Sequence, residues 1–317
     1  MSSAQQILIT VVRYKMALES SATFNSLATA FQQQPQLLQA MSVLLWDNSP
    51  EPIGSPTGPF PFVYRFSQQN LGVSGAYNGA MEYAEQAAVP WLLLLDQDTE
   101  VTAPYLAAML DYSKLLQPDQ RVATVVPFIR ANGMLVSPRV FGKAVRNHQI
   151  PRTTHGVVCQ DAYAVNSGSL MRTSALRQVG GYSDRYWLDL SDAYIFHVLH
   201  LQNNCMYVAG DLELQHSIAT LNFDQDMSPA RYANFLAAEN SFAEEFRGFW
   251  QNALHSLWLL ARVARQYKRY RNKSYARLTF ESFWQRVFLS PAKRRALWSD
   301  ELMRRNLPSI QHGTPIG

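Results

Sequence analysis

Residues 91–101 read WLLLLDQDTEV: five apolar residues in succession, then carboxylates at Asp96, Asp98 and Glu100. An apolar run without alternation marks a strand covered on both faces, as in the middle of a parallel sheet. Ligands of open α/β sheets collect outside the carboxyl ends of the strands, which is where these acids fall. Residues i and i+2 of an extended segment project to the same side, so Asp96 and Asp98 can face one ligand. Two acids held together repel unless a positive charge sits between them, and a hard cation such as Mg²⁺ favours carboxylate oxygens with phosphate and water. The stretch predicts a metal–phosphate site; the plainer reading is a turn with solvated acids.

The surrounding sequence alternates strand and helix signals. ILITVV (7–12) is a β-branched strand, and a helix is expected from about Leu18 to the glutamines before Pro35. MSVLLWD (41–47) is a second strand stopped by Asn, Ser and Pro, 50–61 a loop, FVYRF (62–66) a third strand and 70–87 a helix. Strands spaced by helices predict βαβ units, hence an α/β fold with a parallel sheet. LGVSGAYNG (71–79) fits neither G-x-G-x-x-G nor G-x-x-x-x-G-K-[ST], which argues against a Rossmann dehydrogenase and a P-loop NTPase. Gly72, Gly75 and Gly79 then read as positions of close packing. Neither H-E-x-x-H nor G-x-S-x-G occurs.

The chain has 317 residues, 47% of them hydrophobic and 16% charged, the profile of a globular protein with a large core. No apolar run approaches the roughly 20 residues of a membrane helix, and the N-terminus lacks a secretory pattern, so a cytoplasmic protein is expected. Cys159 and Cys205 have no metal or redox spacing and read as reduced, part-buried thiols. Charge is uneven: residues 247–317 hold 14 Lys and Arg against three acids, whereas 1–246 hold 14 against 21.

Several segments stand in a telling order: a first strand ending near Tyr14, DNSP (47–50), NLGVSGAYNGAM (70–81) and LLLLDQDTEV (92–101). VNSGSLMRTSALRQVGGYSDRYWLDLSDAYIF (165–196), QHSIAT (215–220) and SPARYANFLAAEN (228–240) follow. Over about residues 7–245 the chain resembles the family 2 glycosyltransferases of the GT-A fold. Its Asp-Gln-Asp and HSI segments most resemble bacterial rhamnosyltransferases that use dTDP-L-rhamnose for cell-surface polysaccharides such as O-antigen. The resemblance implies a mixed, mostly parallel sheet flanked by helices, with a nucleotide-binding half (1–100) and an acceptor half (101–246). A basic helical extension (247–317) follows. It also implies inverting, metal-dependent transfer from a nucleotide-sugar donor to a glycan or lipid-linked acceptor.

Residue by residue, Asp47 matches the base-reading Asp and Tyr14 would flank the base. Asn70, Gly72 and Asn78 match the loop and helix start near the nucleotide, although each also suits a turn or cap. Asp98 would hold Mg²⁺ or Mn²⁺, Asp96 would contact the ribose or share the metal, and His216 would face metal or diphosphate. Arg231 and Tyr232 would meet the diphosphate. The base that takes the acceptor's hydroxyl proton aligns with Asp192; the family's usual acid two residues on is Tyr194 here. Asp189 would orient the acceptor or cap the helix, and Trp187 would stack on a sugar or join the core.

In FWQNALHSLWLLARVARQYKRY (249–270), Trp250, Leu254, Leu257, Trp258 and Ala261 share a stripe, with Arg262, Arg265 and Arg269 in a second row. Such helices suit anionic membrane surfaces, placing the protein peripherally on the inner face of a membrane. Nucleic acid is not the expected partner, though the composition allows it; packing on the body's acidic surface is the other alternative. A non-catalytic nucleotide-sugar or glycan-binding homologue is the rival from another functional class.

Overall fold

The computed structural model describes residues 5–54, 56–142, 147–215 and 227–306, the last eight by backbone alone. Four strands run parallel in the first part of the chain: β1 (Ile7–Arg13), β2 (Met41–Asp47), β3 (Val63–Phe66) and β4 (Trp91–Asp96). Helices α1 (Ala22–Gln33), α2 (Gly72–Gln86) and α3 (Ala103–Leu115) connect and cover them. Ser21 caps α1 by accepting from Phe24 N, and Thr102 caps α3 from Tyr105 N. In order along the chain follow β5 (Val122–Ala131), β6 (Met134–Ser137), β7 (Arg139–Val140), β8 (His148–Gln149), β9 (Gly156–Val158), β10 (Ala162–Tyr163), β11 (Leu170–Arg172) and β12 (Cys205–Gln215). Between β11 and β12 lie α4 (Thr173–Gln178) and α5 (Ser191–Leu201).

The main sheet has the order β3-β2-β1-β4-β11-β5-β12-β9, with β6 beside β5, and β10-β7-β8 form a second, small sheet. β11 enters antiparallel between β4 and β5, so the sheet is mixed but mainly parallel. Alternate residues of the buried strands feed two cores. Ile7, Ile9, Val43, Leu93 and Leu95 join the layer of α1 and α3; Leu8, Leu44, Leu92 and Leu94 join that of α2, α4 and α5. Both faces of β4 are therefore apolar, as its unalternating sequence requires. Chain order reverses at β1, which lies between β2 and β4. Such a switch point opens a crevice at the strands' carboxyl ends, here flanked by Tyr14 and Asp96–Asp98.

Cys159 and Cys205, expected as separate thiols, are joined in a disulfide with their Cα atoms 4.4 Å apart. Antiparallel pairing of Met206 with Val158 brings the next residue of each strand face to face. A separation of 46 residues in sequence carries no trace of that register.

Four helices complete the chain: α6 (Pro229–Phe246), α7 (Phe249–Arg269), α8 (Ser274–Phe288) and α9 (Pro291–Asn306). Acidic residues of α6 hold the basic helices. Arg262 of α7 forks onto Glu239 through bonds of 2.8 and 2.6 Å. Arg294 of α9 meets Glu244 at 2.9 Å, and Arg286 of α8 bonds Asn240 and Asn252. Arg262 thus leaves the outward row it was expected to share with Arg265 and Arg269, because that side of α7 packs on the body. No helix among the described residues is long and apolar enough to cross a membrane.

Candidate functional site

Strand register brings the first polar cluster together. β1 pairs with β2 so that Arg13 lies beside Asp47, both at the carboxyl edge. Asp47 is fully buried, with Oδ2 accepting from Arg13 (2.6 Å) and Tyr64 (2.7 Å) and Oδ1 from Ser49 N (2.9 Å). Burial alone would raise its pKa, but the donors Ser49, Tyr64 and Arg13 outweigh it and hold the carboxyl below its ordinary range. A base-reading Asp must offer an acceptor to the crevice; here the carboxylate already anchors the crevice's edge. Arg13, Ser49 and Tyr64 are additions to the site, and the cation ending an otherwise uncharged, buried β1 was the sequence signal for Arg13. Tyr14, 40% exposed, stands just beyond, its N–H held by Gln97 Oε1 at 2.8 Å.

Asp96, Gln97 and Asp98 leave β4 at the switch point. Ser167 Oγ accepts from Asp96 N (2.8 Å), Tyr77 donates to Asp96 Oδ1 (3.1 Å), and Thr23 donates to its carbonyl. Gln97 is a staple, joining β1's end and Ser21, whose hydroxyl donates to its carbonyl at 2.7 Å. Asp98 is exposed at the crevice mouth.

The glycines of α2 mark close approaches. A Cβ on Gly72 (φ +65°) would lie 2.2 Å from the carbonyl oxygen of Trp187, and one on Gly79 2.1 Å from the Trp46 ring. Asn70 accepts from Gly72 N at 3.0 Å, so it acts as the turn residue before α2. Trp187 lies half-buried against Gly72, its carbonyl accepting from Ser74 N. Asn78 differs from the expected nucleotide contact. Both its amide atoms are spent on the backbone of Tyr182, at 2.8 Å each, tying α2 to the segment before α5.

That tie delivers the second pair of acids. Leu190 precedes α5 in the left-handed conformation (φ 60°), a strained choice for a branched side chain. Asp189 therefore precedes the helix and Asp192 sits in its first turn, yet the two remain in electrostatic contact. Burial pushes Asp192 up to about 6; bonding to backbone N–H groups, Ala193 N included, opposes this and the charge of Asp96 adds to it. Burial likewise raises Asp189 to about 6, with Arg231 lowering and Asp192 raising it. Asp189 Oδ2 and Arg231 Nε are buried without hydrogen-bond partners. Asp96, Asp192, Tyr77 and Tyr182 thus form one electrostatic cluster between the two halves of the sheet.

Tyr232 is the clearest correction. It is 0% exposed, bonded to Thr279 (2.7 Å) and Gln266 (2.8 Å) among α6, α7 and α8, and so cannot touch a diphosphate. Its neighbour Arg231, about 100° round the helix, lies within electrostatic reach of Asp189. His216 lies outside the described residues. Among the described residues no three His, Cys, Asp or Glu side chains form a ready metal cage. Asp96 and Asp98 nevertheless suit a hard cation that takes its remaining oxygens from a diphosphate and water.

No protein-family model matches the sequence, and no curated protein matches it. Solved structures do. S. aureus TarS aligns over 95% of this chain and 54% of its own, at 13% identity and a TM-score of 0.52. GalNAc-T7, solved with UDP, GalNAc and Mn²⁺, aligns over 90% of this chain and 58% of its own, at 10% identity and a TM-score of 0.54. The chain therefore spans little more than half the length of either. At these identities the likeness shows the fold: the architecture is that of the GT-A glycosyltransferases.

Proposed function

We propose that the protein is an inverting glycosyltransferase acting on a nucleoside-diphosphate sugar. One observation supports this reading most: Asp96, at the switch-point crevice, shares a half-buried cluster with a second carboxylate, Asp192, contributed by the other half of the fold. The first belongs to a donor diphosphate's side of the site; the second is poised to act on an acceptor hydroxyl. In the transfer, Asp192 accepts the hydroxyl proton as the acceptor oxygen bonds to the anomeric carbon. The bond from that carbon to the diphosphate oxygen breaks, and the nucleoside diphosphate departs with its electron pair. Asp96 and Asp98 would hold a divalent cation, which when bound would neutralise charge on the diphosphate. Arg13, Asp47 and Tyr64 fix the edge beside Tyr14, where the base would lie, and Trp187 and Arg231 border the acceptor side. A base lifted to about 6 is better matched to proton abstraction near neutrality than an ordinary carboxylate.

For the donor, resemblance in sequence favours dTDP-L-rhamnose. It should raise the melting temperature more than UDP-glucose, UDP-galactofuranose or GDP-mannose, and only with Mg²⁺ or Mn²⁺ present. Asp98→Ala should abolish the metal-dependent part. A larger shift with another sugar nucleotide overturns the donor assignment, and a full shift in EDTA overturns the metal's.

The acceptor class proposed is a membrane-bound glycan, and the C-terminal helices support it. Phe249 and Trp250 are each 78% exposed, and the exposed rings of Trp284 and Phe288 lie tilted against each other with centroids 3.9 Å apart. Arg286 bonds Ser256 and Asn252, which sets the start of α7 beside the end of α8 and so gathers these aromatics. Arg265, Lys268, Arg269, Arg271, Lys293 and Arg295 remain exposed as cations. At about 1 kcal/mol per basic residue near anionic lipid, they suffice for reversible docking. The full chain should co-sediment with phosphatidylglycerol vesicles and not with phosphatidylcholine alone, and Trp250→Ala with Trp284→Ala should remove the part that survives high salt. Equal binding to both vesicles, or to neither, contradicts membrane docking.

A further inference from the structure

A cavity of about 410 Å³ opens where β7, α5, α6 and α7 meet, within the roughly 300–1,000 Å³ usual for small-molecule sites. One wall is aromatic. Phe141 stacks on Phe242 with centroids 5.8 Å apart and planes inclined by 17°, and Phe246 packs edge-on to His197 at 4.8 Å. The polar contribution is sparse. Asp161 meets His197 Nδ1 at 3.0 and 3.1 Å through its two oxygens, which orients the ring and leaves Nε2 free of that bond. Arg247, at the end of α6, has its Nη1 buried with no hydrogen-bond partner. Gln160 contributes an amide at the rim.

The cavity and Asp192 share α5 and an electrostatic neighbour. His197 lies five residues beyond Asp192 on α5, about 7.5 Å along the axis and about 140° round it. Tyr163 stands within electrostatic reach of both Asp192 and Arg247.

An aromatic wall with a few planar donors and acceptors suits a pyranose, whose C–H face stacks while its hydroxyls bond at the rim. The Arg247 guanidinium on the cavity's lining carries planar N–H donors of the kind that pair with sugar hydroxyls. An anionic sugar would face Asp161 as well as Arg247, so the lining favours an uncharged ring. We propose that this cavity binds an uncharged sugar residue of the acceptor glycan, adjacent to the unit whose hydroxyl Asp192 deprotonates. The assignment rests on the glycosyl-transfer reading above, but its test does not.

Saturation-transfer NMR on the full chain, with dTDP or UDP and Mg²⁺ present, should detect methyl glycosides of glucose, mannose and rhamnose. Methyl glucosiduronate serves as the charged counterpart. Arg247→Gln should weaken the best neutral glycoside tenfold or more, and Gln160→Ala, an exposed change with little effect on folding, by several-fold. Both variants should keep the wild-type melting shift with sugar nucleotide. Glycoside signals unaffected by either variant, or absent from the wild type, overturn the assignment; strongest binding of the glucosiduronate overturns the uncharged class. A missing sugar-nucleotide shift alongside intact glycoside binding would instead refute the glycosyl-transfer reading and spare the cavity.

Discussion

Asp192→Asn should cut turnover by about 10² or more, leave the sugar-nucleotide melting shift intact, and make the protein more heat-stable at pH 7.5. The first effect is the scale of a lost general base, since Asn keeps the shape but cannot take a proton. The third follows from linkage. Asp192 titrates near 6 in the fold against 3.8 in the unfolded chain, so the fold favours its protonated form. That contribution is complete below pH 3.8 and lost as pH rises through 6; at pH 7.5 the native state bears a buried charge. Removing it should yield about 1–3 kcal/mol at roughly 1.4 kcal/mol per pKa unit, a rise of several degrees. In the wild type kcat should fall as pH drops through about 6, with Asp189, which titrates in the same range, shaping the curve. If Asp189→Asn is the inactive variant and Asp192→Asn turns over normally, the base is Asp189.

Arg262→Met should destabilise the protein by about 3–5 kcal/mol at pH 7, the cost of leaving one partner of a buried ion pair uncompensated. Glu239 would be that partner. Burial alone raises its pKa, but Arg262 chiefly, with His255 and Arg247, brings it down to about 2 from 4.5. Its stabilising contribution is therefore present above pH 4.5 and lost as pH falls towards 2. Without Arg262 the same burial loses its chief opponent, leaving only the weaker His255 and Arg247, and the carboxyl resists ionising far more. The variant's deficit should then be largest near neutrality and shrink as the pH is lowered through the carboxylate range. Urea unfolding at pH 7 and pH 4 measures both. An equal deficit at the two values would mean that Arg262 acts by packing on Trp258, 3.8 Å from its guanidinium, and not by charge. Double replacement with Glu239→Gln should recover part of the loss.

Much of the nucleotide half was legible because its strands are buried on both faces. The strand expected at 41–47 is β2 to the residue, and the helix expected over 70–87 is α2 with its ends trimmed. The Asp-Gln-Asp was placed at a sheet edge by the abrupt end of an apolar run. Close packing at Gly72 and Gly79 was likewise readable, since glycines within a helical pattern need a reason. The second half was less transparent. β7, β8 and β10 have two residues each, too short for any periodicity. β11 enters the sheet antiparallel on the strength of pairing with β4 and β5, neither of them adjacent in sequence.

The sequence by itself determined the α/β alternation, the edge at which Asp96 and Asp98 emerge, and the amphipathic character of the last helices. These are properties of local pattern: apolar period, turn chemistry and caps act over a few residues. The tertiary structure alone decided which polar groups those elements bring face to face. It gave Asp47 to Arg13, Asn78 to Tyr182, Cys159 to Cys205, Tyr232 to the helical core and Arg262 to Glu239. Each pairing depends on register or helix rotation between segments far apart in the chain. A shift of one residue in register turns a side chain to the opposite face, and no local signal in the sequence reports which face it meets.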